Sequence, residues 1–157
     1  MLEKGTKAPE FTAQAIKLGQ DEAQEISLKD YLGKKTIVYF YPKDMTPGCS
    51  NQAQNLRDNF EVLEEKGIVI LGVSCDSIAS HQKFVDKENL PFYLVSDTSK
   101  EIVKAYDVYG DKSFMGKLFH GIHRITYLLD ENHNIVEVIT KPKVKEHAQE
   151  ILEAYGL

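Results

Sequence analysis

The clearest pattern along the chain is two short runs of β-branched, aliphatic and aromatic residues. Residues 36–41 (TIVYFY) and Ile68–Ser74 (IVILGVS) are apolar at nearly every position, which is typical of strands buried on both faces of a sheet. Between them, apolar residues recur at helical spacing up to Gly67, a residue type that commonly ends helices. These are Ala53, Leu56, Phe60 and Leu63. The pattern predicts a strand, a helix and a second, parallel strand joined by a right-handed crossover.

The rest of the chain continues this alternation of helices and strands. The expected elements are a helix over Ile78–Glu88, a strand at 92–95, a helix at 99–106 preceded by the capping residues Ser96, Asp97 and Thr98, strands at 124–129 and Ile135–Ile139, and a helix with an apolar stripe over 144–155. The turn-rich segment 130–134 predicts an antiparallel hairpin between the last two strands. This order predicts an α/β fold: one thioredoxin-like, three-layer domain over residues 1–157, with a central mixed β-sheet flanked by helices.

Composition narrows the class of protein further. The chain has 157 residues, of which 42% are hydrophobic and 27% charged, so it is expected to fold around a substantial core. Its net charge of −5 disfavours binding to nucleic acid. The apolar runs are far shorter than the ~20 residues that cross a bilayer. No apolar leader follows Met1, and two cysteines suit a reducing compartment, so we expect a cytoplasmic protein without a membrane partner.

The segment after the first buried strand combines residues that favour the start of a helix around a cysteine. Thr46 is a good N-cap, and Pro47 is favoured at the first helical position. Cys49 then falls in the first turn, where the positive end of the helix favours a thiolate. Ligands of open α/β sheets bind at the carboxyl ends of strands, which agrees with this placement. The alternatives are a buried, unreactive Cys49 and a plain turn at Pro47-Gly48.

The same segment carries a family resemblance. Pro42, Thr46 and Cys49 match the P-x-x-x-T-x-x-C signature of peroxiredoxins, and residues 40–49 (FYPKDMTPGC) resemble the Q-type subfamily, also called bacterioferritin comigratory proteins. Similar blocks follow in the same order through most of the chain. They lie at 5–11, 72–74, 76–77, 94–97, 110–116 and 121–124.

The resemblance implies a thiol peroxidase that needs no cofactor and no metal. Cys49 would be the nucleophile that attacks the O–O bond of hydrogen peroxide or an organic hydroperoxide. Thr46 would hydrogen-bond the peroxide and the sulfur, and Pro42 would shield the thiolate from water. Arg124 would stabilise the thiolate and the charge that develops on the peroxide oxygens, with Gln52 supporting it. Without the resemblance, Arg124 would be an exposed strand-start residue and Gln52 a helix-surface amide.

The chain departs from the subfamily in its second cysteine. Many members have a resolving cysteine five residues after the nucleophile, and here that residue is Gln54. The predicted helix Ile78–Glu88 has no cysteine either. The remaining thiol, Cys75, follows the second buried strand at the same sheet edge as Cys49. We expect a structural Cys75 and a Cys49 sulfenic acid that an external thiol reduces, either a small molecule or a thioredoxin-like protein. Resolution by Cys75 or by a second subunit is the alternative.

Other functional classes fit the residues less well. A thioredoxin-type disulfide oxidoreductase needs C-x-x-C, which is absent, whereas a redox sensor that oxidises a partner would use the same Cys49. Histidines 120, 123 and 133 are a weak metal signal and are expected in solvated loops. Three aromatic residues, Tyr39, Phe114 and Phe119, would either line the peroxide approach or fill the core. The subfamily resemblance favours a monomer or a weak dimer.

Overall fold

The computed structural model describes all 157 residues as a mixed seven-stranded sheet, a separate two-stranded hairpin and five α-helices. The strands are β1 (Thr12–Ile16), β2 (Gln24–Ser27), β3 (Lys35–Phe40), β4 (Ile68–Ser74), β5 (Tyr93–Ser96), β6 (Tyr109–Phe114), β7 (Lys117–Ile122), β8 (Ile125–Leu129) and β9 (Ile135–Ile139). The helices are α1 (Pro47–Asp58), α2 (Phe60–Glu65), α3 (Ile78–Glu88), α4 (Glu101–Ala105) and α5 (His147–Tyr155). No helix is long and apolar enough to cross a membrane.

The order of strands in the large sheet is β2-β1-β5-β4-β3-β8-β9. Strands β3, β4 and β5 are parallel, as the crossover predicted, and β8 lies antiparallel to β3 on its other side. Strands β8 and β9 form the predicted antiparallel hairpin. The predicted α/β, thioredoxin-like architecture with a mixed central sheet is therefore confirmed.

The sheet divides the core into two hydrophobic clusters, one on each face. Strand β3 contributes side chains to both clusters, because successive side chains of a strand point to opposite faces. Ile37 and Tyr39 belong to the first cluster, and Val38 and Phe40 to the second. The first cluster is covered by α1, α2, α3 and α5, and it includes Cys49. The second is covered by α4 and by segments near the N-terminus. We call these the α1-side cluster and the α4-side cluster.

Gly72 in β4 makes room for the aromatic part of the α1-side cluster. A Cβ at this position would lie 2.8 Å from the Tyr39 ring, closer than real Cβ contacts allow. The ring stacks on Tyr41 at 5.6 Å between centroids and meets Phe92 edge-on. The glycine in the otherwise β-branched run 68–74 therefore lets Tyr39 lie flat across the neighbouring strand.

Two predicted helices differ from those observed. The single helix expected up to Gly67 is broken at Asn59, because the Asn59 Nδ2 donates to the carbonyl of Asn55 at 2.8 Å and its backbone leaves the helical region. The helix expected at 99–106 is shortened to α4, because Lys100 adopts φ 66° immediately before it. The last helix begins at His147, three residues after the start of its predicted stripe.

Two hairpins were not predicted. One is the β1–β2 hairpin at the sheet edge, and the other is the β6–β7 hairpin, which turns at Met115 and Gly116, both with positive φ. The β6–β7 tip is exposed, with Phe114 68% and Phe119 45% accessible. Neither phenylalanine fills the core, which was the alternative we considered for both. The apolar residues of this hairpin do not alternate cleanly with polar ones, so the sequence pattern gives no strand signal there.

The expectation of solvated loop histidines is wrong for His133. His133 is 2% exposed, and its Nε2 lies 3.2 Å from the Thr36 hydroxyl. His120 is exposed as expected but lies on strand β7, where it pairs with Asp111. The buried position of His133 reflects a local turn at 130–134 whose backbone bonds fold the ring inward over β3.

Burial of neutral histidines makes stability depend on pH. Burial lowers the pKa of His133 and of His147 below the ordinary 6.5. The unfolded chain therefore binds more protons just below that pH, so the stabilisation present at pH 7 is lost as the pH falls toward 5. We expect urea unfolding to show a smaller loss between pH 7 and pH 5 for His133→Gln than for the wild type. The exposed control His120→Gln should keep the wild-type loss; an equal loss in all three proteins would contradict the prediction.

Candidate active site

The start of α1 follows the local pattern expected from the sequence. Thr46 is the N-cap with extended backbone, Pro47 is the first helical residue, and Cys49 lies in the first turn. The first helical bond joins the Ser50 N–H to the Thr46 carbonyl at 2.8 Å. The N–H groups of Gly48 and Cys49 precede that bond, so they have no acceptor within the helix. The cysteine therefore lies among free N–H donors at the positive end of α1.

The Thr46 side chain does not cap the helix, contrary to the role expected of an N-cap threonine. Its hydroxyl donates to the Lys43 carbonyl at 2.9 Å instead, within a tight turn in which Met45 has φ 62°. The hydroxyl oxygen keeps its lone pairs free to accept. Pro42 lies half-buried directly after β3, at the start of the same loop.

Cys49 is 1% exposed, and its sulfur contacts Arg124. Arg124 Nη2 donates to Cys49 Sγ at 3.3 Å. The contact follows from the sheet: Phe40 pairs with Ile125, so Arg124, just before β8, lies at the carboxyl end of β3 where α1 begins. Arg124 is half-buried and is not the exposed strand-start residue considered as the alternative. A guanidinium at this distance gives the sulfur a hydrogen-bond donor that is always charged.

Gln52 completes the contact on the other side of the guanidinium. It is fully buried rather than on the helix surface, and its Oε1 accepts from Arg124 Nη1 at 2.7 Å. Gln52 lies three residues after Cys49, so both face the same side of α1. The structure thus brings Cys49, Arg124 and Gln52 together. Arg124 donates to Cys49 through Nη2 and to Gln52 through Nη1.

Gly48 leaves the space that the guanidinium occupies. A Cβ built at this glycine would lie 3.0 Å from Arg124 Nη2. Its φ is not positive, so the reason for a glycine here is close approach rather than backbone conformation. The Pro47-Gly48 pair is therefore part of a helix start fitted around Arg124, not a plain turn.

Tyr39 is buried in the α1-side cluster beside Cys49 and Arg124. Of the two roles considered for Tyr39, lining the peroxide approach or filling the core, the structure shows the second. Burial raises the pKa of Tyr39 well above its ordinary value, Cys49 and Asp44 raise it further, and Arg124 opposes the shift. Its hydroxyl and the Gln52 Nε2 are buried polar atoms without a hydrogen-bond partner in the protein. Two unpaired donors therefore lie close to the Cys49–Arg124 pair.

Two further charged or titratable residues act on the site and were missed from the sequence. Lys112 Nζ donates to the Ile122 carbonyl at 2.8 Å; burial and Arg124 lower its pKa, while Cys49 opposes the shift. His147 Nε2 lies 2.9 Å from the Thr126 hydroxyl; burial lowers the pKa of His147, Glu150 opposes that shift, and Arg124 adds to it. Both reach the site from distant parts of the chain, so no local motif could have indicated them.

Cys75 is separated from Cys49 by the sheet. It follows β4 at the predicted edge, but its side chain packs against the α4-side cluster, whereas Cys49 belongs to the α1-side cluster. Both cysteines are free. Burial, and then Asp97, raise the pKa of Cys75 to about 11, so this thiol is protonated at neutral pH. In the observed packing Cys75 lies on the other side of the sheet from Cys49 and is not paired with it.

These features define a class: a thioredoxin-like α/β protein with a buried cysteine in the first turn of a helix and an arginine in contact with its sulfur. Residues 4–138 match the AhpC/TSA family. The chain is 46% identical over 151 residues to "Putative peroxiredoxin bcp" of Coxiella burnetii, covering 96% of this chain and 97% of the relative. It is 42% identical over 152 residues to "Peroxiredoxin Bcp" of Bacillus subtilis, covering 97% and 94%.

Solved structures agree with these sequence matches. A cysteine-to-serine mutant of Xylella fastidiosa PrxQ superposes with a TM-score of 0.88 at 32% identity, covering 99% of this chain and 96% of that chain. A Xanthomonas campestris bacterioferritin comigratory protein, studied for alkyl peroxide reduction, gives 0.83 at 34% identity over 93% and 90%. The chain belongs to the AhpC/TSA family, among its Bcp or Q-type peroxiredoxins. The predicted enzyme class, a thiol-dependent peroxidase, is confirmed.

The fit of Gly48 against Arg124 predicts the effect of a small substitution. In Gly48→Ala the new methyl group pushes the guanidinium away from Cys49 Sγ. We expect alkylation of Cys49 by iodoacetamide at pH 7 to slow about fivefold, since weakening a charged hydrogen bond by ~1 kcal/mol has that effect. Ser50→Ala, in the same turn of α1, serves as the control and should react at the wild-type rate. Equal rates for all three proteins would show that Arg124 does not govern the reactivity of the sulfur.

Proposed function

We propose that Cys49 is the peroxidatic residue of this enzyme and reduces hydrogen peroxide and organic hydroperoxides. The sulfur attacks the terminal oxygen, the O–O bond breaks, and Cys49 becomes a sulfenic acid while water or an alcohol leaves after taking up a proton. The observation that carries the proposal is the 3.3 Å contact of Arg124 Nη2 with Cys49 Sγ, held by Gln52 on the other nitrogen. The guanidinium stabilises charge on the sulfur first and on the departing oxygen later.

Thr46 and Pro42 act on the peroxide rather than on the sulfur's charge. Because the Thr46 hydroxyl proton is committed to the Lys43 carbonyl, its oxygen is left to accept a hydrogen bond from the O–H of an incoming peroxide. This orients the terminal oxygen toward Cys49. Pro42 has no N–H and lies half-buried at the start of the loop, where it limits access of water to the thiolate.

An external thiol completes the cycle. The sulfenic acid condenses with the thiol to a mixed disulfide and water, and a second thiol releases Cys49 by exchange. Gln54, at the position where many subfamily members have a resolving cysteine, donates to Glu88 of α3 at 2.7 Å. Cys75 packs in the other cluster. A thioredoxin-like protein or a small-molecule thiol therefore supplies the electrons.

The site supports a simple assembly. Cys49, Arg124 and Gln52 all come from one chain, so the contacts of Arg124 with Cys49 and Gln52 need no second subunit. We accordingly propose that residues 1–157 act as one domain and as a monomer or weak dimer. A single cooperative transition in urea and a monomer mass in sedimentation at micromolar concentration would support this. Two transitions, or a stable higher oligomer, would argue against it.

The two free thiols also bear on the compartment. Both cysteines are unpaired in the structure, and a mechanism that ends in reduction by an external thiol needs a reducing environment. We therefore propose that the enzyme works in the cytoplasm. Cell fractionation with antibody detection tests this placement, and recovery of the protein outside the cytoplasmic fraction would overturn it.

The decisive experiment compares wild type, Cys49→Ser and Cys75→Ser. We expect hydroperoxide consumption, with a thioredoxin system or dithiothreitol as reductant, to be lost only in Cys49→Ser, because only that sulfur lies against Arg124. After one equivalent of peroxide without reductant, the intact mass of the wild type should rise by one oxygen, and addition of a small-molecule thiol should convert that product to the thiol adduct.

Other outcomes would assign the remaining mechanisms. A loss of two hydrogens that disappears in Cys75→Ser would make Cys75 the resolving thiol and overturn external reduction of the sulfenic acid. Peroxide-dependent oxidation of Cys49 without turnover, but with a mixed disulfide to a partner protein, would instead indicate a redox sensor. Consumption at the wild-type rate by Cys49→Ser would remove Cys49 from the reaction.

A further inference from the structure

The loop between β3 and α1, which carries Pro42 and Thr46, is fixed to the rest of the protein by Asp44. The Asp44 side chain is buried, and Tyr41 donates to its Oδ1 at 2.6 Å. Its Oδ2 accepts from the Ser80 hydroxyl at 2.8 Å and lies 2.7 Å from His81 Nδ1. Ser80 and His81 are both in α3, so one carboxylate ties the loop to that helix.

The hydrogen-bond pattern of His81 shows where its protons lie. The ring is fully buried, and its Nε2 lies 2.9 Å from the Val95 carbonyl, which can only accept. Nε2 therefore bears a proton. Nδ1 faces a carboxylate oxygen that already takes a hydroxyl donor, while the other oxygen takes a second hydroxyl. Hydroxyl donors on both oxygens suit an ionised carboxylate, and a proton on Nδ1 would give that carboxylate a third donor.

We propose that His81 and Asp44 form a buried imidazolium–carboxylate pair that positions the peroxide-binding loop. The proposal rests on the proposed function and adds a positioning role for two residues that do not touch the sulfur. The pair acts through the loop backbone and not through Arg124.

The path from the pair to the peroxide site is short. The Asp44 N–H donates to Asp76 Oδ2 at 2.9 Å, so the backbone of the loop is held from a second direction. The next residue, Met45, has a left-handed backbone with φ 62°. A residue other than glycine keeps this conformation only when its surroundings hold it there. Thr46 follows, with its hydroxyl fixed on the Lys43 carbonyl. Fixing Asp44 therefore fixes the direction of the Thr46 oxygen lone pairs.

The same residues have the spacing of a cation site, because donor atoms of Asp44, Asp76 and His81 lie within 4.8 Å of one another. Their hydrogen bonds argue against that use. Both oxygens of Asp44 and both ring nitrogens of His81 already have partners, and Asp76 Oδ2 accepts from Ser74 and from the loop N–H. The cluster is complete as an ion pair with its own donors.

The first test uses the wild-type protein and needs no variant. In an NMR spectrum of a ¹⁵N-labelled sample at pH 7, each ring nitrogen of His81 should show a directly bonded proton. A bare Nδ1 would overturn the ion pair. Because the ring is fully buried, both protons should exchange slowly enough with solvent to be detected.

The second test separates loop positioning from general damage. We expect His81→Gln to lower kcat/KM for hydroperoxide ~10- to 100-fold, since small displacements of a positioning group have effects of that size. Alkylation of Cys49 by iodoacetamide, which does not use Thr46, should stay within about twofold of wild type. Asp44→Asn, which keeps the shape of the side chain, should behave like His81→Gln, and the double variant should lose no more than either.

His133→Gln is the matched control, since it removes another buried histidine whose partner Thr36 lies near the opposite end of β3. It should lower stability but leave kcat/KM unchanged. A His81→Gln enzyme as active as wild type would overturn the positioning role while leaving the proposed function intact. A wild type that consumes no peroxide would overturn both. If His81→Gln does not fold, Asp44→Asn and the wild-type nitrogen spectrum decide the question.

Discussion

The contact of Arg124 with Cys49 is the interaction on which the rest of the site depends. The Cys49 sulfur is 1% exposed, and the guanidinium of Arg124 is the charged group that donates to it. The cation comes from a residue 75 positions away, so the contact exists only when β3 and β8 pair in the observed register. A shift of that register by one residue would turn Arg124 to the other face of the sheet. The chemistry of the thiol is thus tied to the correct assembly of the central strands.

Helix α1 must hold its first turn in place for this contact to persist, and it is tied to α3 at both ends. Near its start, the loop residue Asp44 meets Ser80 and His81. Further along, Gln54 and Arg57 bond to Glu88, the last residue of α3, at 2.7 and 2.8 Å. Arg57 Nη1 also lies 3.6 Å from the Glu88 carboxylate, so both ends of α1 meet α3 through a charged group. The loop between β3 and α1 is therefore held by the same helix pair as α1 itself.

Local physics explains what the sequence could predict. The continuous apolar runs identified β3 and β4, and Thr46, Pro47 and Cys49 identified the start of α1, because each signal lies within a few residues. Contacts between distant segments gave no such local signal: only the family resemblance linked Gln52 to Arg124, since the residues alone also suited a surface amide, and nothing in the chain linked Asp44 to His81. The break at Asn59 and the β6–β7 hairpin were missed for different reasons, since a side-chain hydrogen bond and an exposed apolar strand both contradict the usual patterns.

The two cysteines show how the fold assigns different chemistry to one functional group. Cys49 lies at a helix start with free N–H donors and a guanidinium on its sulfur. Cys75 follows a strand on the same edge of the sheet, but it packs into the opposite cluster, and burial together with Asp97 raises its pKa to about 11. A thiol that is protonated at neutral pH is a poor nucleophile toward either a peroxide or a sulfenic acid. To approach Cys49 it would have to leave the α4-side cluster while α1 released its ties to α3. The different environments of the two sulfurs therefore support the proposal that Cys49 is the oxidised residue and that its reductant comes from outside the chain.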